Sequence, residues 1–263
     1  MSAPENDPRS ALQARLETAN VDAEAAAAAR SAIRDRLLRS SRTLDGPAFT
    51  RLHADDLAAL VSAYDELFLG GRLRPALGTS PLRFGFSTRA THRGGGIFRR
   101  ARAGGQIVRY EIVISTTPLI ESFRRPGEEV RVCGLACGDR LDALQRVVEH
   151  ELVHLAELLV WDASSCAKAR FQGIASRLFG HTSHRHEMLT PTQRASTVHG
   201  IRPGDSVLFE HEGKRREGIV NRITKRATVL VPHPAGRLFS DGERYQVVYV
   251  PIPMLRRSEP VKS

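Results

Sequence analysis

Two periodicities divide the chain. Between residues 47 and 73 the large apolar residues Leu57, Leu60, Val61, Tyr64, Leu67 and Phe68 recur at three- and four-residue spacing, which predicts a helix with one apolar face, stopped at Gly70-Gly71. From 81 to 117 the period drops to two. Leu82-Arg-Phe-Gly-Phe86 alternates as a strand, 97–102 is a second strand with Gly104-Gly105 as a hairpin turn, and 106–114 is the clearest strand of the chain. The helical period returns at 141–159, where Val147, Val148, Leu152, Val153, Leu155, Leu158 and Leu159 make the segment apolar on most sides, so this helix is expected to be buried. A further helix is expected over 167–179, ending at Gly180, and Thr190-Pro191-Thr192 breaks the pattern after it. Upstream, 23–39 is alanine-rich with arginines at helical spacing, a helix poor in large apolar residues and expected to pack weakly or lie exposed. Beyond 198 the runs Ser206-Val-Leu-Phe209, 217–223, 227–231 and 244–250 are short and β-type, separated by Gly213, Pro232, Gly236 and Asp241-Gly242; they predict a small all-β barrel of the SH3-like kind.

The resulting layout is α+β. It comprises a helical N-terminal extension (1–45), a domain at 46–192 built as helix, antiparallel strands and buried helix, and a small β-barrel domain at 198–257.

Composition narrows the classes. With 263 residues and 41% hydrophobic content the chain is globular, and no apolar run approaches the ~18 residues that span a bilayer. The first ten residues lack the basic-then-apolar plan of a signal peptide, so a cytoplasmic location is expected. Three cysteines, Cys133, Cys137 and Cys166, fit a reducing compartment; Cys133 and Cys137 form a lone C-x3-C and read as small, part-buried thiols. The net charge of +10 rests mainly on arginine, which points to a polyanionic partner, DNA first, and a nucleoid-associated position if DNA is bound. Candidate phosphate contacts are Arg30, Arg34, Arg36 and Arg39 on the first helix. On the barrel they are Lys214, Arg215, Arg216, Arg222, Lys225 and Arg226, with Tyr245 or Tyr249 as stacking surfaces.

The buried helix carries the chemistry. His150-Glu151-Leu152-Val153-His154 is an HExxH sequence, and residues four apart on a helix lie one turn above each other on one face. Both imidazoles can reach one metal ion, with Glu151 beside them to act on a water held there. Three polar groups inside an apolar helix need a reason, because unpaired polar burial is costly, and a metal supplies one. Two core-facing histidines on an ordinary helix would have the same spacing, so the burial of the flanking residues decides for the metal.

Around this motif the chain resembles the SprT-like metalloprotease family. Tyr64-Asp-Glu-Leu-Phe-Leu-Gly-Gly-Arg-Leu73 is similar to the family's helix-ending segment, Phe86-Ser-Thr-Arg89 with Gly94-Gly95-Gly96 to its strand-and-glycine segment, and Glu111-Ile-Val-Ile-Ser115 to its last strand before His150-Glu-Leu-Val-His154. The resemblance implies a zincin-like fold, Zn2+ bound by His150 and His154, and Glu151 as general acid/base. For the third ligand, Cys166 stands about where the family's histidine falls, in Cys166-Ala-Lys-Ala-Arg-Phe171, and His181 is the other candidate, with Glu157 and His186 behind them.

Two functions fit. The first is a zinc-dependent metallopeptidase acting on protein substrates, DNA-associated proteins among them. The alternative is a nucleic-acid-binding protein whose metal is structural and whose barrel does the binding. Glu151 favours the first, since a structural site has no need of the acid.

Overall fold

A computed structural model describes residues 7–88, 94–101, 108–123, 129–186, 188, 195–196, 199–224 and 226–258. The chain forms two compact units, 1–188 and 189–263. The expected turns at Gly104-Gly105 and at Thr190-Pro191-Thr192, together with Arg89 and Lys225, lie outside the described residues.

The first unit opens with α1 (Pro8–Thr18) and α2 (Ala23–Ser40), each started by an aspartate, Asp7 or Asp22, whose carboxylate accepts from first-turn N–H groups. Leu12, Leu16, Ala26, Ile33 and Leu37 are buried in the same core as the metal-motif helix. The weakly packed or exposed helix expected here is therefore corrected. Ala26 lies in that core and Ala29 packs against it, so a few large side chains suffice, and three of the four α2 arginines are ion-paired within the unit. Arg30 meets Glu149, Arg34 meets Asp139 and Asp142, and Arg36 meets Glu66.

α3 (Ala54–Tyr64) buries Leu57, Leu60, Val61 and Tyr64 and runs into a π turn, Asp65–Leu69, that ends at Gly70 with φ +64°. That left-handed backbone is open to glycine at little cost. The Asp65 carboxylate then accepts from the N–H groups of Leu73 and Arg74 at the start of the short α4 (Leu73–Leu77).

Three strands follow, β1 (Leu82–Ser87), β2 (Gly95–Ala101) and β3 (Val108–Ser115), in the order β1-β3-β2. β2 and β3 pair antiparallel, Gly95 opposite Ile114, whereas β1 and β3 pair parallel, Leu82 opposite Tyr110. The all-antiparallel sheet expected from the sequence is thus a mixed one. β2 lies on the far side of β3, so β3 takes the centre and runs in the direction of β1. β3 buries Tyr110, Ile112 and Ile114, and the sheet packs on α3 and α6.

After α5 (Thr116–Glu121) comes a hairpin that the sequence reading did not contain, β4 (Val130–Val132) and β5 (Leu135–Cys137). Its two-residue turn is Cys133 (φ 54°) and Gly134 (φ 78°), the positive-φ pair that a tight hairpin demands. α6 (Arg140–Trp161) is capped by Asp139 and buried nearly all round, carrying Gln145, Glu149, His150, Glu151 and Glu157 into the interior. α7 (Ala169–Phe179) ends at Gly180 in the left-handed region, as its sequence predicts.

The second unit is a five-stranded antiparallel sheet in the order β10-β6-β7-β8-β9, from β6 (Ser206–His211), β7 (Lys214–Ile223), β8 (Ala227–Leu238), β9 (Arg244–Val250) and β10 (Arg256–Arg257). Val207, Phe209, Val220, Val229, Val248 and Val250 form its own core. The closed barrel expected for 198–257 is not formed by the described strands. β10 is two residues long and pairs with β6 alone, which leaves the sheet open between β10 and β9. Among the described residues no helix is long and apolar enough to cross a membrane.

Candidate metal centre

Helical spacing puts His150 and His154 on one face of α6, and their Nε2 atoms stand 3.1 Å apart. Phe171, from the first turn of α7, packs against both rings, with centroids at 4.8 and 4.4 Å. Each ring is also held from behind. Arg170 Nε donates to Glu157 Oε1 (2.7 Å), and the Ser164 hydroxyl donates to Glu157 Oε2 (2.6 Å). Ser164 has then spent its proton, so the 2.6 Å contact with His154 Nδ1 is Nδ1–H donating to Ser164 Oγ. His154 Nε2 therefore presents a lone pair.

His150 Nδ1 lies 3.7 Å from Cys133 Sγ. A thiol serves either tautomer of the ring: S–H donates to Nδ1 when Nε2 carries the proton, and sulfur accepts when Nδ1 carries it. In the first case His150 Nε2–H donates to His154; in the second both Nε2 lone pairs converge. Burial raises the Cys133 thiol well above its ordinary value, with Glu149 and Glu151 adding to the shift, so the thiol keeps its proton.

Burial is also the main force on the imidazoles. It drives His150 far down, helped by His186 and His154, and it lowers His154 against the opposing pull of Glu157. His186 falls to about 4, again chiefly through burial. At neutral pH the rings are uncharged, the form that binds metals.

Glu151 is buried beside the pair, and β2 passes directly over it. A Cβ on Gly95 would lie 2.9 Å from Glu151 Oε1, and one on Gly94 would lie 2.7 Å from His186 Nδ1. The glycines thus allow backbone to approach the carboxylate and the ring where any side chain would collide. Gly94 N–H uses this proximity to donate to His186 Nδ1 (3.1 Å), which leaves the ring proton on His186 Nε2, an atom out of solvent with no partner among the described residues. The motif opens into a cleft of about 710 Å³ whose lining includes Gly95, Gly96, Ile97, Leu158, Cys166 and Arg185.

Two groupings among the described residues bring ligand atoms within 4.8 Å of one another and could hold a metal ion: His150, His154 and Cys166, and Cys133, His150 and His186. The structure therefore brings Cys166 to the HExxH pair. It does not bring His181, whose Nε2 is 2.8 Å from Glu149 Oε2. Glu157 is engaged by Ser164 and Arg170. The sequence reading missed Cys133, Ser164 and Arg170 as neighbours of the motif and held His186 only as a reserve ligand. Only the Cys133-Gly134 pair between Val130-Arg-Val132 and Leu135-Ala-Cys137 offered a local signal, that of a hairpin turn.

In the second unit Lys214, Arg215, Arg222 and Arg226 are exposed, whereas Arg216 is half-buried and donates to Gln246 Oε1 (3.1 Å). Tyr249 is 63% exposed, free for stacking; Tyr245 is 8% exposed and its hydroxyl donates to Asp241. No family model matches the chain, and no curated protein and no solved structure matches it.

Proposed function

We propose that the first unit is a zinc-dependent metallopeptidase of the SprT-like kind, with His150, His154 and Cys166 as the metal-holding residues and Glu151 as the general acid/base. One observation carries this reading: two Nε2 atoms 3.1 Å apart, each ring tethered at Nδ1, beside a buried carboxylate at the floor of an open cleft. The donor set fits zinc. Bonds of about 2.0–2.1 Å at a tetrahedral angle place two ligand nitrogens about 3.3 Å apart, close to the spacing here, and thiolate is an accepted third donor. The second grouping fits less well, since His186 Nδ1 already takes the Gly94 N–H and Cys133 is held as a thiol.

Three protein donors leave a fourth position open, which favours catalysis over a closed structural site. Zinc, when bound, lowers the pKa of water towards ~7 and polarises a carbonyl. Glu151 takes the proton of the attacking water and passes it to the leaving amine. Ser164 and Cys133 hold the two imidazoles in register for this. A peptide substrate is favoured because β2, at the edge of its sheet among the described residues, lines the cleft with Gly95, Gly96 and Ile97, so its outer backbone groups can pair with an extended chain.

The exposed basic residues of the second unit and Tyr249 support DNA as a partner that brings the enzyme to DNA-associated proteins. The decisive experiment measures zinc content and hydrolysis of casein and of DNA-binding proteins by wild type and Glu151→Gln. Equal hydrolysis by the two proteins, or wild type without zinc, would sink the proposal.

A further inference from the structure

The segment His181-Thr-Ser-His184-Arg-His186 holds three histidines in six residues, yet the metal reading uses none of them. The structure disperses them. His181 turns into the core against Glu149, and His186 packs beside His150 under Gly94. His184 and Arg185 line the cleft.

Their chemistry there is one-sided. Gln172 Nε2 carries two protons. One is donated to the Cys166 carbonyl (3.1 Å) and the other to His184 Nδ1 (3.3 Å). With Nδ1 accepting, the neutral His184 ring carries its proton on Nε2, so its free nitrogen is a donor. Arg185 is exposed, forms no ion pair among the described residues, and has five N–H donors and no acceptor. Elsewhere along the cleft the balance differs. Arg99 is paired with Asp162 (3.0 Å), and Ile97 and Leu158 are apolar. Among the described residues Glu151 is the only carboxylate in the lining, and it belongs to the reaction. One rim therefore offers donors and uncompensated positive charge, and nothing on the described protein answers it.

We propose that His184 and Arg185 form a carboxylate-recognition subsite, and that the substrates of the cleft carry an acidic side chain on that side of the scissile bond. This rests on the peptidase reading above. An arginine fork takes a carboxylate through two parallel N–H bonds, and the His184 Nε2–H supplies a third donor held in place by Gln172. Because Gln172 also grips the Cys166 carbonyl, the subsite is tied to the chain that presents Cys166.

The test uses the full chain carrying Glu151→Gln and loaded with zinc, so that peptides bind without being cleaved. Fluorescence anisotropy reads the affinity of amidated nonapeptides in which one Glu is moved along a neutral background. Gln and Lys are then placed at the best position, and a neutral peptide with a free C-terminal carboxylate is added. At one or two adjacent positions Glu should bind about tenfold more tightly than Gln, and Lys more weakly still. Adding Arg185→Glu should abolish the preference, and His184→Ala should reduce it by about threefold. Arg51→Glu makes the same charge change at another exposed site and should leave it intact. Tight binding of the free-carboxylate peptide alone would overturn the side-chain assignment, because the subsite would then read a chain end. No positional preference, or equal losses in the Arg185 and Arg51 variants, would overturn the subsite, since overall charge would explain the binding. Hydrolysis of the same peptides by wild type separates the two readings. Position-dependent binding without cleavage removes the peptidase and keeps the subsite, whereas cleavage without preference does the reverse.

Discussion

On one side of α6 Glu149 sits fully buried and accepts five hydrogen bonds, two from Arg30 and one each from Tyr64, Arg146 and His181. On the other side, one residue further along, His150 and His154 are held just as firmly from behind but point their remaining nitrogens at each other. Both faces bury polar groups in an apolar setting, which is tolerable only when partners exist. Around Glu149 the partners are all protein, the arrangement is closed, and burial's upward push on the carboxyl is overcome by His181 and Arg30, so that it stays ionised. Among the described residues the two histidine Nε2 atoms meet only each other. A proton or a cation must lie between the two nitrogens, and an open cleft leads to them. A carboxylate saturated by protein donors marks the Glu149 side as architecture, although Arg146 Nε and His181 Nδ1 there have no partner among the described residues; two nitrogens that face each other at an open cleft suit the other side to a ligand.

The largest effects separate these two faces. Glu151→Gln should lower peptide hydrolysis by about three orders of magnitude while zinc content and the urea midpoint stay at wild-type values, because the base is lost and both imidazoles remain. Glu149→Gln should do the opposite in kind. It leaves Arg30 and Arg146 buried without their counter-charge and should cost roughly 3–5 kcal/mol of unfolding free energy. If Glu149→Gln proved as stable as wild type, the closed cluster would not be the structural half of this pair.

Next in size are the two candidates for third ligand, which now fall on different faces. Cys166→Ser should weaken zinc binding strongly, measured by competition with a chromogenic chelator, and barely change the stability of the metal-free protein. His181→Ala should leave the ligand set intact and cost about 1–3 kcal/mol, because Glu149 loses a donor in the core. Reversed outcomes would move the metal to the His181 side.

Acid should take the two faces apart in sequence. In the metal-free protein His150, His154 and His186 have depressed pKa values, so the unfolded chain binds protons first, and stability falls as pH drops below their ordinary 6.5. The slope is about 1.4 kcal/mol per pH unit for each histidine that stays neutral. Glu149 is depressed from 4.5, so its contribution is complete above that value and is lost only as pH falls through it towards the folded-state value. Urea midpoints across pH 3–8 should show both stages, and Glu149→Gln should erase only the lower one. A single decline confined to pH below 4.5 would mean that the site histidines titrate normally.

What could be read in advance follows the range of the interaction. The HExxH helix was legible because its burial, its 3.6-residue period and the four-residue spacing of its histidines are all local. The strands were legible for the same reason. The parallel pairing of β1 with β3 was not, since direction depends on where β2 folds. Nor was the packing of α2, where alanines conceal a core contact and Arg30 reaches Glu149 across 119 residues of sequence. The supports of the site are long-range in the same way. Cys133 meets His150 from a hairpin turn, Gly94 meets His186 across 92 residues, and Ser164 meets His154 from the loop after α6. No periodicity encodes these contacts. Cys166 was placed by resemblance, and geometry then separated it from His181.

The smallest effect concerns charge that is left open on purpose in another way. In the second unit Arg222 is exposed on β7 and makes no ion pair among the described residues, opposite Thr228, which in turn lies opposite the exposed Tyr249. Cross-strand partners share a sheet face, so arginine and tyrosine stand on one side, two strands apart. If DNA runs along this face, Arg222 neutralises a phosphate and Tyr249 stacks on a base. Arg222→Ala should then flatten the dependence of log K on log salt by about 0.7–0.9, the release of one counterion, and weaken all sequences alike. Tyr249→Ala should leave that slope unchanged and cost about 1–3 kcal/mol with single-stranded DNA, with a smaller loss for duplex whose bases are already stacked. Fluorescence anisotropy at two or more salt concentrations measures both. Neither substitution should alter zinc content or peptide hydrolysis, because the residues proposed to hold the metal all lie in the first unit. Unchanged DNA affinity in both variants would take nucleic acid off this face, and the open charge there would be solubility alone.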